Sequence, residues 1–170
     1  MIGLINNAAS VGPLGPLDSC TPGEIDRAMR INLIAPAILA SCFLRRTAGW
    51  RCRRKVIHLS SGCARYANPG MSIYSAAKSG LEMLTRCAGA EQDALGPDGV
   101  EFLAVDPGMM DTAMQQQARE TSAERFGLAD YFKDAHAAGR LSAPDAAARA
   151  MLNLIDRRFQ SGSIWTEPTV

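Results

Sequence analysis

Short apolar runs alternate with longer, partly polar ones along this chain. Ile2-Gly3-Leu4-Ile5 stops at Asn6-Asn7, Val56-Ile57-His58-Leu59 stops at Ser60-Ser61-Gly62, and Val100 to Val105 stops at Asp106-Pro107-Gly108. Brief, near-continuous runs of this kind predict strands buried on both faces. Ser161 to Thr166 reads as a final strand. The stretches between them carry helix signals. Thr21-Pro22-Gly23-Glu24 places a capping threonine before a proline at the first helical position, with Glu24 closing a capping box. The helix that follows is largely apolar from Ala28 to Leu44, and Pro36 inside it predicts a kink or local unwinding near Asn32. A long helix is predicted from about Ser72 to Leu95, ending before Gly96-Pro97. Another starts at Ser142-Ala143-Pro144-Asp145 and runs to about Phe159. Residues 109–140 are polar, methionine-rich and helical in places, and read as a lid-like excursion. Strands alternating with helices predict an α/β fold, a parallel sheet wrapped by helices.

Composition narrows the classes without choosing among them. At 170 residues the chain suits one domain with a real core, and neither an internal repeat nor a linker divides it. A net charge of +1 supplies no bulk field for nucleic acid, a membrane surface or an acidic partner. No apolar run approaches the roughly 20 residues a membrane helix needs, and Met1 leads straight into a strand without a basic leader. A soluble, cytoplasmic protein is the expectation. The five cysteines are odd in number and form no C-x-x-C pair, and only His58 and His136 accompany them, so reduced thiols and no metal site are expected. The basic stretch Arg45, Arg46, Arg51, Arg53, Arg54, Lys55 reads as a helix carboxy-terminus and an exposed loop.

The chemistry concentrates at Tyr74-Ser75-Ala76-Ala77-Lys78, near the start of the long helix. The i, i+4 spacing puts the phenol and the ammonium on one helix face. A phenol has a pKa of about 10, and a nearby ammonium is expected to lower it. Ser61 ends the preceding strand. In a doubly wound sheet the carboxyl ends of the strands form the ligand crevice, which would let the Ser61 hydroxyl meet a carbonyl oxygen as charge develops there. Asn6-Asn7 and Asp106-Pro107-Gly108 end their strands at the same edge.

In order and spacing, Asn6-Asn7-Ala8-Ala9, Ile31-Asn32-Leu33-Ile34-Ala35-Pro36, Leu59-Ser60-Ser61-Gly62, Tyr74-Ser75-Ala76-Ala77-Lys78 and Asp106-Pro107-Gly108-Met109-Met110-Asp111-Thr112 resemble the short-chain dehydrogenase/reductase family over essentially the whole chain. The resemblance implies that Tyr74 protonates the carbonyl oxygen during reduction and that Lys78 lowers its pKa and holds the nicotinamide ribose. It also implies that Ser61 polarises the carbonyl and that Asn32 holds a water relaying protons to Lys78. By the same resemblance Pro107, Gly108, Met109 and Thr112 face the nicotinamide end of the cofactor, and Asn6 and Ala8 lie beside its adenosine side. The cofactor implied is NADP(H) ahead of NAD(H), and the full-length form is expected to be a homodimer or homotetramer.

The stretch Asp111 to Ser122, and Phe159-Gln160-Ser161-Gly162 before the last strand, resemble the sepiapterin reductases and the bacterial reductases of aromatic diketones such as benzil. A pterin or an aromatic diketone is therefore the expected carbonyl substrate, with Ser61, Met109, Met114 and Glu167 as its contacts. The sequence departs from the family pattern at three places. Thr166 stands where sepiapterin reductases carry a pterin-anchoring carboxylate, with Glu167 one residue on. Ala9 stands where the family usually has glycine. The family's first β-α-β-α-β unit, with its T-G-x-x-x-G-x-G turn, has no counterpart in residues 1–170. That departure predicts one partial dinucleotide-binding domain, reductase activity only in a full-length form, and no turnover of NADPH by the chain as it stands. The alternative is an inactive or merely binding remnant.

Overall fold

A computed structural model describes residues 1–166. Four strands, β1 (Ile2–Asn6), β2 (Arg54–Leu59), β3 (Glu101–Asp106) and β4 (Ser163–Thr166), form one parallel sheet in the order β1-β2-β3-β4. The helices are α1 (Pro22–Met29), α2 (Ala35–Arg46), α3 (Ser72–Asp93), α4 (Ala113–Glu120), α5 (Ala129–Ala137) and α6 (Pro144–Ile155). The capping box forms as the sequence predicts: the Thr21 hydroxyl accepts from the Glu24 amide, and the Glu24 carboxylate accepts from the Thr21 amide. Between α1 and α2 the chain stays helical but widens into a π-turn at Arg30–Ile34, where the Ala35 amide donates to the Arg30 carbonyl. Pro36 accounts for part of this, since a proline has no N–H to give the Asn32 carbonyl four residues back.

The sheet is covered on both faces. Ile57, Leu59, Leu103 and Val105 pack with Leu154 and Met151 of α6 on one side. Val56, Phe102 and Val100 pack with Ala40, Phe43 and Ala88 from α2 and α3 on the other. A third apolar cluster, built on Val11, Leu14, Met71, Tyr74, Ala118, Phe126 and Ala129, fastens the segment 109–140 to the body over the carboxyl ends of the strands. The helix predicted from Ser142 begins at Pro144 behind an Ala143 that makes no side-chain cap, and ends at Ile155, four residues before the expected end at Phe159.

Two sequence-based expectations are corrected. The basic stretch is not a solvated loop throughout. Arg54 and Lys55 belong to β2 and are buried. Their charges are absorbed by carbonyl oxygens: Lys55 Nζ donates to those of Leu154, Ile155 and Arg157 at 3.3, 3.0 and 2.6 Å, and Arg54 to those of Thr47 and Asp98. Arg53 adds the Asp156 carbonyl at 2.8 Å and an ion pair with Glu101 at 2.7 Å. Cations at the carboxy-terminus of α6 meet its unpaired carbonyls and the negative end of its dipole. The second correction concerns apolar length. By length and composition alone the continuous helical stretch Pro22–Arg46 matches a membrane-crossing helix, a test that a core helix packed on a sheet also passes. A window average tolerates the few charges that interrupt an unbroken apolar run, which is why inspection of runs alone misses it.

Candidate active site

The chain order that builds the sheet also builds a crevice at its carboxyl edge. Tyr74 lies in the first turn of α3, buried against Met71, Val11 and Leu14. Lys78, one turn on, is also buried, and its Nζ lies 5.6 Å from the centre of the Tyr74 ring. The ammonium donates to the Leu59 carbonyl at 2.7 Å. Burial holds the Lys78 pKa down to about 8. Burial likewise pushes the Tyr74 phenol up to about 12, with the nearby Ser61 hydroxyl opposing. The expectation that Lys78 lowers the Tyr74 pKa is therefore not met in this state. The ammonium is aimed at a carbonyl oxygen behind the phenol, and desolvation of the phenolate dominates.

Ser61 follows β2 in an extended conformation and caps a single 3-10 turn, its hydroxyl accepting from the Cys63 amide at 3.2 Å. A cavity of about 350 Å³ opens beside it. Ser61, Tyr74, Pro107, Gly108, Met109, Thr112 and Met114 all line this cavity, so seven of the residues singled out from the sequence converge there. Gly108 adopts φ 73°, which a residue with a Cβ rarely does, and its amide donates to Asp106 Oδ1 at 3.0 Å. Thr112 spends its hydroxyl capping α4 at the Gln115 amide. Two larger hollows, about 560 Å³ beside Arg27 and Arg125 and about 570 Å³ beside Trp50 and Arg158, hold none of Ser61, Tyr74 or Lys78.

Other predicted residues stand apart from the cavity. Asn32 is fully buried in the π-turn, and its side chain is committed to the loop after β1: Oδ1 accepts from the Ser10 amide at 3.0 Å and Nδ2 donates to the Ser10 carbonyl at 2.8 Å. Asn6 is buried at the end of β1, side by side with His58 in the sheet register, and its Nδ2 has no partner among the described residues. Ala8 is exposed in the loop. Glu167 lies outside the described residues.

Several site residues escaped the sequence reading. Met71, Tyr131 and Phe132 add apolar wall, and Cys63 adds a thiol whose pKa burial raises. Arg65 bridges Glu82, at 2.6 Å, and Asp106 beneath the crevice, while the Ser60 hydroxyl donates to the same Glu82 oxygen at 2.7 Å. Glu82 could have been found as the next i, i+4 step after Lys78. No local signal marks Arg65, whose partners lie 17 and 41 residues away.

A buried parallel sheet with Ser61 at a strand end and Tyr74 and Lys78 in the neighbouring helix, beside an apolar cavity, has the layout of doubly wound α/β proteins, which take their ligands at the carboxyl ends of the strands. The chain belongs to the short chain dehydrogenase family, whose profile matches residues 2–123. It is 36% identical over 164 residues to a benzil reductase ((S)-benzoin forming) of Bacillus cereus, covering 96% of this chain and 66% of that protein. It is 32% identical over 164 residues to the sepiapterin reductase of Meriones unguiculatus, covering 94% of this chain and 60% of that protein. Among solved structures, the KRED1-Pglu enzyme superposes with a TM-score of 0.82 at 22% identity, over 95% of this chain and 67% of that one. The chain thus spans about two thirds or less of the length of the relatives it matches. Proteins of this family use nicotinamide cofactors.

Proposed function

We propose that this chain carries the proton-transfer and substrate-binding part of a cytoplasmic, NADP(H)-dependent carbonyl reductase acting on aromatic diketones. The observation that carries the reading is the placement of Tyr74 in the wall of an apolar, methionine-lined cavity, with Lys78 directly behind it. Methionine side chains adapt to flat, polarizable ligands. Pterin is the weaker fit. The carboxylate lining the cavity among the described residues is Asp106, and both its oxygens are already engaged, by Arg65 and by the Gly108 amide.

The residues suit a nicotinamide riboside. An ammonium has three donors, and Lys78 uses one of them on Leu59, which leaves two for ribose hydroxyls. The open backbone at Gly108 lets the ring approach closely. When bound, the cofactor supplies the hydride. The chain's own residues do the rest. Ser61 donates to the carbonyl oxygen and fixes its direction. Tyr74, protonated at neutral pH, donates its phenolic proton to that oxygen as negative charge builds there. A phenol near 12 is still far more acidic than water at about 15.7, so transfer to an alkoxide-like oxygen runs downhill. Lys78, one turn behind, returns one of its ammonium protons to the phenolate and is reprotonated from solvent water.

The test is reduction of benzil and of sepiapterin with NADPH and with NADH. Tyr74→Phe keeps the shape of the site and removes the proton, and turnover should fall by about 10²–10⁴-fold. Near-normal reduction by Tyr74→Phe would refute the assignment.

A further inference from the structure

Resting on the reading of this crevice as a carbonyl reductase site, we propose that Arg65 is a positioning residue: it clamps the Ser60–Ser61 strand end to the Asp106–Gly108 turn and thereby sets the spacing between the carbonyl site and the nicotinamide-facing backbone. The guanidinium divides its two ends between separate elements. Nη1 donates to Glu82 Oε1 at 2.6 Å, and Nη2 donates to Asp106 Oδ2. Each carboxylate carries the link onward. Glu82 Oε1 also accepts from the Ser60 hydroxyl at 2.7 Å, next to Ser61. Asp106 Oδ1 accepts from the Gly108 amide at 3.0 Å and so shapes the turn that lines the cavity. One cation therefore ties the ends of β2 and β3 to the face of α3 that also presents Lys78.

The burial pattern argues for a built device. The Glu82 and Asp106 side chains are 6% and 7% exposed, and Arg65 reaches them from a partly open position at 28%. Two buried carboxylates that share one planar, five-donor cation hold a fixed geometry that a lysine cannot reproduce, because an ammonium lacks the fork. Spacing of this kind acts on the reacting pair. A displacement of about 1 Å between hydride donor and carbonyl can cost about 10²-fold in rate.

The decisive measurement combines amide exchange on the 170-residue protein with kinetics on a form extended to the length of its relatives. In Arg65→Met, exchange of the Gly108 amide should accelerate by about tenfold or more, with Arg65→Lys intermediate, while Val56 and Phe102 in the strands stay within about twofold. Arg65→Met strands two buried carboxylates, so Glu82→Gln is the companion variant. It touches Gly108 only through Arg65 and Asp106, yet should still raise Gly108 exchange. Arg53→Met, which breaks an ion pair at the opposite end of the sheet, should not. With an aromatic diketone, kcat should fall about tenfold or more in Arg65→Met, with KM changed by less than about threefold. Unchanged Gly108 exchange in Arg65→Met and Glu82→Gln, or a lowered melting temperature with kcat intact, would overturn the proposal. If the protein extended to the length of its relatives reduces no diketone, the functional reading fails by itself, and the exchange comparison on the 170-residue chain still decides whether the clamp exists.

Discussion

His58 shows how a single buried side chain ties stability to pH. Its Nδ1 lies 2.9 Å from Thr85 Oγ1, and that hydroxyl already donates to the Leu81 carbonyl. The imidazole must therefore be the donor at Nδ1, which leaves Nε2 a bare acceptor with no partner among the described residues. Burial, helped by the charge of Lys78, lowers its pKa from 6.5 to about 4. Above pH 6.5 the ring is neutral in both folded and unfolded chains and costs nothing. As pH falls from 6.5 to about 4, the unfolded chain takes up the proton and the folded one does not, so stability drops, and it levels off below. The loss amounts to about 3 kcal/mol by this group alone. His58→Asn keeps a donor toward Thr85 and cannot titrate. Urea unfolding at pH 7 and pH 4 should show a loss of stability smaller than the parent's by roughly that amount. An identical loss in both proteins would refute the role.

At the scale of elements, α3 and the residue before β4 approach closely through Gly89 and Gly162. A Cβ on Gly89 would lie 2.2 Å from the Gly162 nitrogen and 2.4 Å from its Cα. Those are backbone atoms, and Gly162 is itself anchored by donating to the Phe102 carbonyl at 2.8 Å. Gly89→Ala must therefore push the helix off the sheet edge, at a cost of about 3 kcal/mol, the upper range for overpacking. Gly23 in α1 makes the contrast, because nothing lies within 4 Å of its would-be Cβ. Gly23→Ala should be neutral or stabilise by a few tenths of a kcal/mol up to about 1. Thermal unfolding of the two variants side by side checks both. Equal melting temperatures would mean that the α3–β4 contact is not as tight as described.

At the scale of the molecule, the cofactor contacts proposed at the crevice, Tyr74, Lys78 and the 107–112 segment, fall at the nicotinamide-ribose end, and the adenosine side is left to Asn6, which is buried, and Ala8, which carries no polar side chain. A pyrophosphate is held by backbone N–H donors at a helix start, and none of the proposed contacts supplies that. The 170-residue protein should therefore bind reduced nicotinamide mononucleotide and NADPH with affinities within a few-fold of each other, both weak. Fluorescence titration of the two ligands checks this. An NADPH affinity tighter by about 1.4 kcal/mol, tenfold, would show that this chain holds the rest of the dinucleotide as well.

The sequence by itself determined the class of fold, the order of the elements and the core of the site. Those properties live in consecutive residues: apolar runs short enough to be strands, a capping box, a proline inside a helix, and a tyrosine and lysine one helical turn apart. It placed Ser61 and Gly108 on one edge because strand ends in a parallel sheet must share an edge, and the cavity that lies there is also lined by Tyr74 and Met114. Tertiary structure decided what depends on which segments become neighbours. It turned Arg54 and Lys55 from presumed loop residues into buried partners of carbonyl oxygens, and it made Gly89 a site of backbone contact. It raised the Tyr74 pKa where spacing alone suggested a fall, because desolvation is set by everything packed around a phenol and not by one ammonium. Arg65 belongs to the same group. An ion pair across 41 residues leaves no periodic trace in the chain, and only the closing of β2 against β3 brings its ends together.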